Sequence, residues 1–135
     1  MSDWDAKIIA QFRATGGRVG ERYHGRPMLL LHHVGARSGL ERVNPLVYMP
    51  DGDRMVVAAS SGGRPANPGW LHNLRARPEA TAEIGTETAP VKAAEIVGAD
   101  YDRTWPRMVE FLPVFGEYQE RAGRRIPLVA LHRME

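Results

Sequence analysis

Apolar residues in this chain come in short blocks fenced by glycine, proline or charge, and the spacing within the blocks changes along the sequence. Trp4, Ile8, Ile9 and Phe12 recur at three- and four-residue intervals, which predicts a first helix capped by Ser2 or Asp3 and stopped at Gly16-Gly17. Met28 to Val34 is a continuous apolar run broken by His32 and His33, the pattern of a buried strand on which at most one of the two histidines points inward. A second strand follows from about Arg42 to Met49. Pro45 places it at an edge or a bulge, because proline cannot donate to a ladder. Pro50-Asp51-Gly52-Asp53 reads as a hairpin turn and Arg54 to Ser60 as a third strand, giving a meander of two linked hairpins.

Beyond a glycine-rich loop at 61–66, Asn67 is expected to cap a short helix from Pro68 to Ala76, with Trp70, Leu71 and Leu74 on one side. Thr81 to Ile84 and Thr88 to Val97 read as a hairpin across Gly85-Thr86. Asp100 is expected to cap a helical region interrupted at Pro106 and Pro113 and running on to Gly123, before a closing strand from Ile126 to His132. About six short, mostly antiparallel strands with helices around them predict an α+β fold built on a small barrel. At 135 residues one domain is expected over 1–135.

Composition narrows the chemistry. The absence of cysteine excludes disulfides, thiolate catalysis and cysteine-based zinc sites. The histidines lack metal-ligand spacing, so no metal is expected. Ser38, Ser60 and Ser61 lack a nucleophile elbow, which argues against a serine hydrolase. No apolar run is long enough to span a bilayer, and a cytoplasmic location is expected. The apolar face of the first helix suits either the core or a peripheral membrane contact; core packing is favoured.

Charge is unevenly spread. Residues 18–77 hold nine arginines, including Arg18 and Arg22, against four acidic residues, so that stretch carries +5 and the remainder −3. A basic segment of this kind suits an anionic partner. Gly35-Ala36-Arg37-Ser38-Gly39, with Arg42 on the outgoing strand, offers a tight turn whose backbone amides and arginines could meet phosphate oxygens. It is also a plain turn between strands, and it lacks the Gly-Lys-Ser/Thr ending of a P-loop. Ala58 to Gly63 ends a strand in small residues, where a flat ligand could approach the backbone closely. The helix starting at Asn67-Pro68-Gly69-Trp70 aims its positive end at the same region. The aromatics Tyr23, Tyr48 and Trp70 are not interleaved with arginine, which argues against a nucleic-acid platform.

Three motifs in order carry a resemblance: Gly35-x-Arg37-Ser38-Gly39-x-x-Arg42-Val43-Asn44-Pro45-Leu46, then Asp51-Gly52-Asp53-Arg54 through Ala58-Ala59-Ser60-x-Gly62-Gly63, then Asn67-Pro68-x-Trp70-x-x-Asn73-Leu74. Together the chain resembles the deazaflavin-dependent nitroreductase family, the actinobacterial reductases that use coenzyme F-420. The likeness runs from the first helix to the Arg125-Ile126-Pro127-Leu128-Val129 strand. It implies a split β-barrel and reduced F-420 as hydride donor, a coenzyme with a flat tricycle and a long tail bearing phosphate and glutamates. It implies a phosphate and tail site at Arg37, Ser38, Gly39 and Arg42, and a groove lined by Asn44 and Leu46. Ala58, Ala59, Ser60 and Ser61 would meet the ring, while Gly69, Trp70 and Asn73 would sit on the helix that closes over the cofactor.

Two departures from relatives that reduce nitroimidazoles bear on the acceptor. Ser61 stands where they carry lysine, with Arg64 as a replacement charge. Leu112, Phe115 and Tyr118 stand where they carry several tyrosines, which favours an apolar acceptor, a quinone or conjugated enone, over a nitro compound. The proton that follows the hydride is expected from Tyr118, Ser60 or water. The alternatives are a flavin mononucleotide reductase on the same barrel and an F-420-binding protein without turnover.

Overall fold

The computed structural model of the chain describes residues 3–17 and 26–134. The capping role of Ser2, the side chain of Trp4 and the positions of Arg18, Arg22, Tyr23 and His24 lie outside the described residues.

Helix α1 (Asp3–Thr15) ends at Gly16-Gly17, both with φ in the left-handed region. Strands β1 (Met28–Val34), β2 (Glu41–Val47), β3 (Met49–Asp51) and β4 (Arg54–Ala58) follow, then a single 3-10 turn at Ser61–Gly63 and helix α2 (Gly69–Ala76). Strands β5 (Glu79–Ile84) and β6 (Glu87–Ile96) form the expected hairpin. Helices α3 (Gly98–Phe111) and α4 (Val114–Ala122) precede the closing strand β7 (Leu128–Arg133). Pro106 lies within α3 without ending it; Pro113 separates α3 from α4.

All seven strands form one antiparallel sheet in the order β2-β1-β5-β6-β7-β4-β3. Its two edges are the two halves of one chain segment, because only Tyr48 separates β2 from β3. The strand expected over 42–49 therefore bends at Tyr48, whose N–H donates to Pro27 O at 3.0 Å, and its halves pair with β1 and with β4. The sheet curls back on itself as a split barrel. The two hairpins do not form a local meander: they lie at opposite ends of the strand order, and β7 rather than β2 is the second neighbour of β4. Pro45 and Pro50 both sit on the edge segments, where a missing donor breaks no ladder.

Three apolar clusters explain the strands buried on both faces. Leu29, Leu31, Met55, Val57, Val129 and Leu131 fill the barrel interior, closed at one end by Trp70, Leu71 and Leu74 of α2. The opposite faces of β4 and β7, through Val56, Ala58, Leu128 and Ala130, carry Tyr101, Met108, Leu112 and Phe115 from α3 and α4. Ile8, Ile9 and Phe12 of α1 are buried against Met28 and Leu30, so this part of the apolar face of α1 belongs to the core. Among the described residues no helix is long and apolar enough to cross a membrane.

Polar ties fasten the layers. Asp100 does not cap α3. Its two oxygens accept from Arg54 Nη1 and Nη2 at 2.9 and 3.0 Å, and these bonds hold its carboxyl down at about 2. On the α1 side, His32 Nδ1 lies 2.8 Å from Glu41 Oε1 and Nε2 lies 2.6 Å from Glu83 Oε2. Carboxylates only accept, so both ring nitrogens donate and His32 is an imidazolium. Burial opposes that charge, but the bonds to Glu41 and Glu83 prevail and raise the His32 pKa above 6.5. Glu83 is lowered from 4.5, chiefly by the Arg13 bonds.

The sign of the pH dependence follows. The raised His32 pKa contributes stability below 6.5 that is lost as pH rises through the folded-state value. The lowered Glu83 pKa contributes stability above 4.5 that is lost in acid. In urea titrations the wild type should therefore lose more stability between about pH 6 and pH 9 than His32→Gln does. Equal losses in the two proteins would show that His32 is not coupled to folding.

Candidate active site

A groove runs between α1, the β2 strand, the first turn of α2 and the α3–α4 junction. It consists of two adjoining cavities of about 800 and 650 Å³, both lined by Asp5, Asn44, Pro68 and Trp70. The larger is walled by Leu46, Val47, Ala58, Ser60, Ser61 and, from the helical region, Leu112, Phe115 and Tyr118. Its apolar part comes from Leu46 on β2 and from Leu112 and Phe115 at the end of the core face of α3 and α4. The smaller carries charged side chains of both signs, being lined by Asp5, His33, Glu41, Arg42, Gly69 and Asn73.

The wall at Ser60–Ser61 is a strained loop. Ser61 has φ 51°, a left-handed backbone rare for a residue with a side chain, and Gly62 and Gly63 continue it at 64° and 85°. At Gly63 a Cβ would come within 3.3 Å of Tyr118 Cα, so glycine lets the loop lie directly on α4. Arg124 holds it there. Its guanidinium donates to the carbonyl oxygens of Ala59, Ser60, Arg64 and Ala66 at 3.1 to 3.3 Å and to Asn67 Oδ1 at 2.6 Å. Asn67 is thus occupied by Arg124, and Pro68, in extended conformation, is the N-cap of α2.

At the polar end, the turn 35–39 closes on itself. The N–H groups of Gly35 and Gly39 donate to Leu40 O and Gly35 O, both at 2.9 Å, and that of Leu40 donates to Ser38 Oγ. Ala36 N–H donates to Asn73 Oδ1 at 2.9 Å. A Cβ on Gly35 would collide with Ser38 Oγ, so glycine leaves that hydroxyl free to accept from Leu40 N–H. Of the five amides of residues 35–39, those of Gly35, Ala36 and Gly39 therefore already have protein acceptors. What the turn does is dock on α2.

His33 completes that docking. Asn73 Nδ2 donates to His33 Nδ1 at 3.0 Å, and His33 Nε2 lies 2.7 Å from Asn44 Oδ1. The imidazole is 4% exposed. Burial, with the positive charges of Arg42 and His32, pushes its pKa down against the opposing Asn44 bond, so it is neutral near pH 7.

The sequence profile of the F420H(2)-dependent quinone reductases matches residues 5–133. The chain belongs to this family. An F420H(2)-dependent quinone reductase of Mycobacterium tuberculosis is 40% identical over 128 residues, covering 92% of this chain and 86% of the relative. A solved F420-H2 dependent reductase, FDR-A, shares 32% identity with a TM-score of 0.71, over 79% of this chain and 95% of its own. A solved domain-swapped dimer shares 30% identity with a TM-score of 0.73, over 96% and 98%. The family is F420H2-dependent, so reduced F-420 is the cofactor, and the split-barrel expectation holds.

The groove of this F420H2-dependent reductase fits that cofactor in shape and donor set. It is elongated, with Leu46, Leu112 and Phe115 at one end and the side chains of His33, Glu41, Arg42 and Asn73 at the other, and small residues at Ala58 to Gly62 leave room for a flat ring. Of the residues expected at the site, Asn44, Leu46, Ala58, Ser60, Ser61, Trp70, Leu112, Phe115 and Tyr118 line the larger cavity, and Arg42, Gly69 and Asn73 the smaller. Arg37, Ser38 and Gly39 line neither. Ala59 lies fully buried in the barrel interior, its N–H donating to Pro127 O and its carbonyl accepting from Arg124. Among the described residues no group of histidines and carboxylates could hold a metal.

Three contributors were not foreseen. His33 was visible only as one of an adjacent pair, and the rule that alternate strand residues face opposite ways could not say which turned inward. Arg124 lay within the likeness but looked like one more surface arginine. Asp5 came from a helix read only for its apolar face.

Proposed function

We propose that the larger cavity receives the deazaflavin ring and the acceptor, that the smaller receives the phosphate-bearing tail, and that the enzyme reduces quinones by hydride transfer from F-420. One observation carries this reading: the two cavities share Asn44, Pro68 and Trp70, so a single long ligand can occupy both. When bound, the reduced coenzyme supplies the hydride, and the protein supplies orientation and exclusion of water. Trp70 and Leu46 offer flat apolar walls. The first turn of α2 presents its positive end, and Arg42 adds a formal charge toward the tail. Leu112, Phe115 and Tyr118 form an apolar wall suited to a quinone or enone, with nitro compounds as poorer acceptors. In this reading Tyr118 and Ser60, at the wall of the larger cavity, orient the acceptor oxygen or pass it a proton. In this reading the enzyme works in the cytoplasm.

Titration with F-420 and with flavin mononucleotide, followed by fluorescence, tests the cofactor; adding a quinone to the reduced complex then tests turnover. No binding of F-420 at micromolar concentration would sink the reading, and preference for flavin mononucleotide would replace it. Binding without oxidation by a panel of quinones would favour a protein without turnover. Within the basic stretch, Arg42→Ala should weaken F-420 binding by about tenfold at low salt and less at high salt, while Arg37→Ala, outside both cavities, should weaken it less. The reverse ranking would move the tail onto the 35–39 turn.

A further inference from the structure

We propose that His33, as a neutral imidazole carrying its hydrogen on Nε2, is a positioning residue that turns the amide nitrogens of Asn44 and Asn73 toward the groove, to meet acceptor oxygens of the bound cofactor. The identity of that ligand rests on the F-420 reading above; the orientation of the relay does not.

Every bond direction follows from one donor that cannot be reversed. Ala36 presents a backbone N–H, which only donates, so Asn73 meets it with Oδ1 at 2.9 Å. Asn73 Nδ2 is then the atom facing His33 Nδ1 at 3.0 Å, and an amide nitrogen only donates, so Nδ1 carries the lone pair. A neutral ring with its lone pair on Nδ1 has its hydrogen on Nε2, which donates to Asn44 Oδ1 at 2.7 Å. Asn44 keeps both hydrogens of Nδ2 free of this relay, and Asn73 keeps one. Both residues line the groove, Asn44 at the junction of its two cavities and Asn73 at the polar end. The relay thus gives the groove a face of donors, suited to carbonyl or phosphate oxygens.

A proton on Nδ1 reverses this. It would face the Asn73 amide nitrogen, and relief by rotating that amide would strip the Ala36 N–H of its acceptor. The charged and titratable groups around His33 are His32 on its own strand, Glu41 and Arg42 on β2, Asp5 on α1, Arg77 just after α2 and Glu79 at the start of β5. Burial opposes the proton most, and the charges of Arg42 and His32 oppose it further, so the His33 pKa lies below 6.5.

Glutamine at position 33 can offer a donor to Asn44 and an acceptor to Asn73 without titrating; phenylalanine can offer neither. His33→Phe should weaken F-420 binding about tenfold or more at pH 7.5, while His33→Gln stays within about threefold of wild type. Wild-type affinity should fall in acid, and the fall should be smaller in His33→Gln, whose other titrating neighbours are unchanged. Thermal unfolding of both variants checks that they are folded, and a deazaflavin lacking the phosphate-bearing tail separates the two oxygen sources: His33→Phe weakens its binding if the ring carbonyls are the acceptors, and spares it if the phosphates are.

Imidazole ¹⁵N spectra of the unliganded protein read the relay without cofactor, and should show hydrogen on Nε2 of His33. Hydrogen on Nδ1 in a protein that binds F-420 would overturn the relay and leave the functional reading intact. The Nε2 tautomer in a protein that binds no F-420 would remove the functional reading and the ligand half of this proposal. Unchanged F-420 affinity in a folded His33→Phe would overturn the positioning role.

Discussion

Trp70→Ala is expected to lower stability by about 3–5 kcal/mol and to abolish F-420 binding at micromolar concentration. The indole is 5% exposed and belongs to the cluster that fills the barrel, alongside Leu71 and Leu74. It also lines both cavities of the groove. Truncation therefore removes core packing and the wall shared by the two halves of the site. Trp70→Phe keeps most of the apolar volume, so it should recover most of the stability and part of the binding. Urea titration and F-420 fluorescence on both variants separate the two roles. A stable Trp70→Ala that still binds would show that the wall is not shared.

Arg124→Ala is expected to reduce kcat/KM for a quinone by about 100-fold, with a loss of stability of about 2 kcal/mol. The guanidinium joins five acceptors of residues 59–67, and no other side chain bonds that set of carbonyls among the described residues. Some of those carbonyls can turn to water, which caps the loss of stability. The larger effect falls on activity, because the loop carries Ser60 and the left-handed Ser61 at the groove wall. Arg124→Lys should rescue little, since one ammonium cannot reach acceptors spread across a planar fork. Steady-state kinetics paired with thermal melts test this. A variant that loses stability but keeps kcat/KM would make Arg124 a purely structural clamp.

The residues that failed to match the sequence reading share a cause. Asn67 and Asp100 each have the type and position of a helix cap, yet each is taken by a distant arginine, Arg124 and Arg54. A side-chain oxygen that can satisfy a local N–H can equally satisfy a guanidinium brought near by the fold, and a charged donor forms the stronger bond. The Gly35–Gly39 turn likewise has the amides of Gly35, Ala36 and Gly39 taken within the protein, by Leu40 O, Asn73 Oδ1 and Gly35 O. Pro106 was read as an interruption and sits inside α3.

Local order along the chain was legible because it depends on neighbours in sequence. The apolar run of β1, the hairpin at Gly85-Thr86, the stop at Gly16-Gly17 and the break at Pro113 follow from side-chain periodicity and backbone freedom. The family motifs also located most of the groove wall. What closes the barrel is different. Tyr48 bends one strand so that its halves reach opposite sheet edges, and no local pattern marks that residue. The inward turn of His33, the reach of Arg124 across the loop and the joining of two cavities at Asn44 and Trp70 are likewise contacts between segments far apart in sequence. The sequence by itself determined the elements, the family and the chemistry on offer. Only the tertiary structure decided which donors were already spent within the protein and which remained for the ligand.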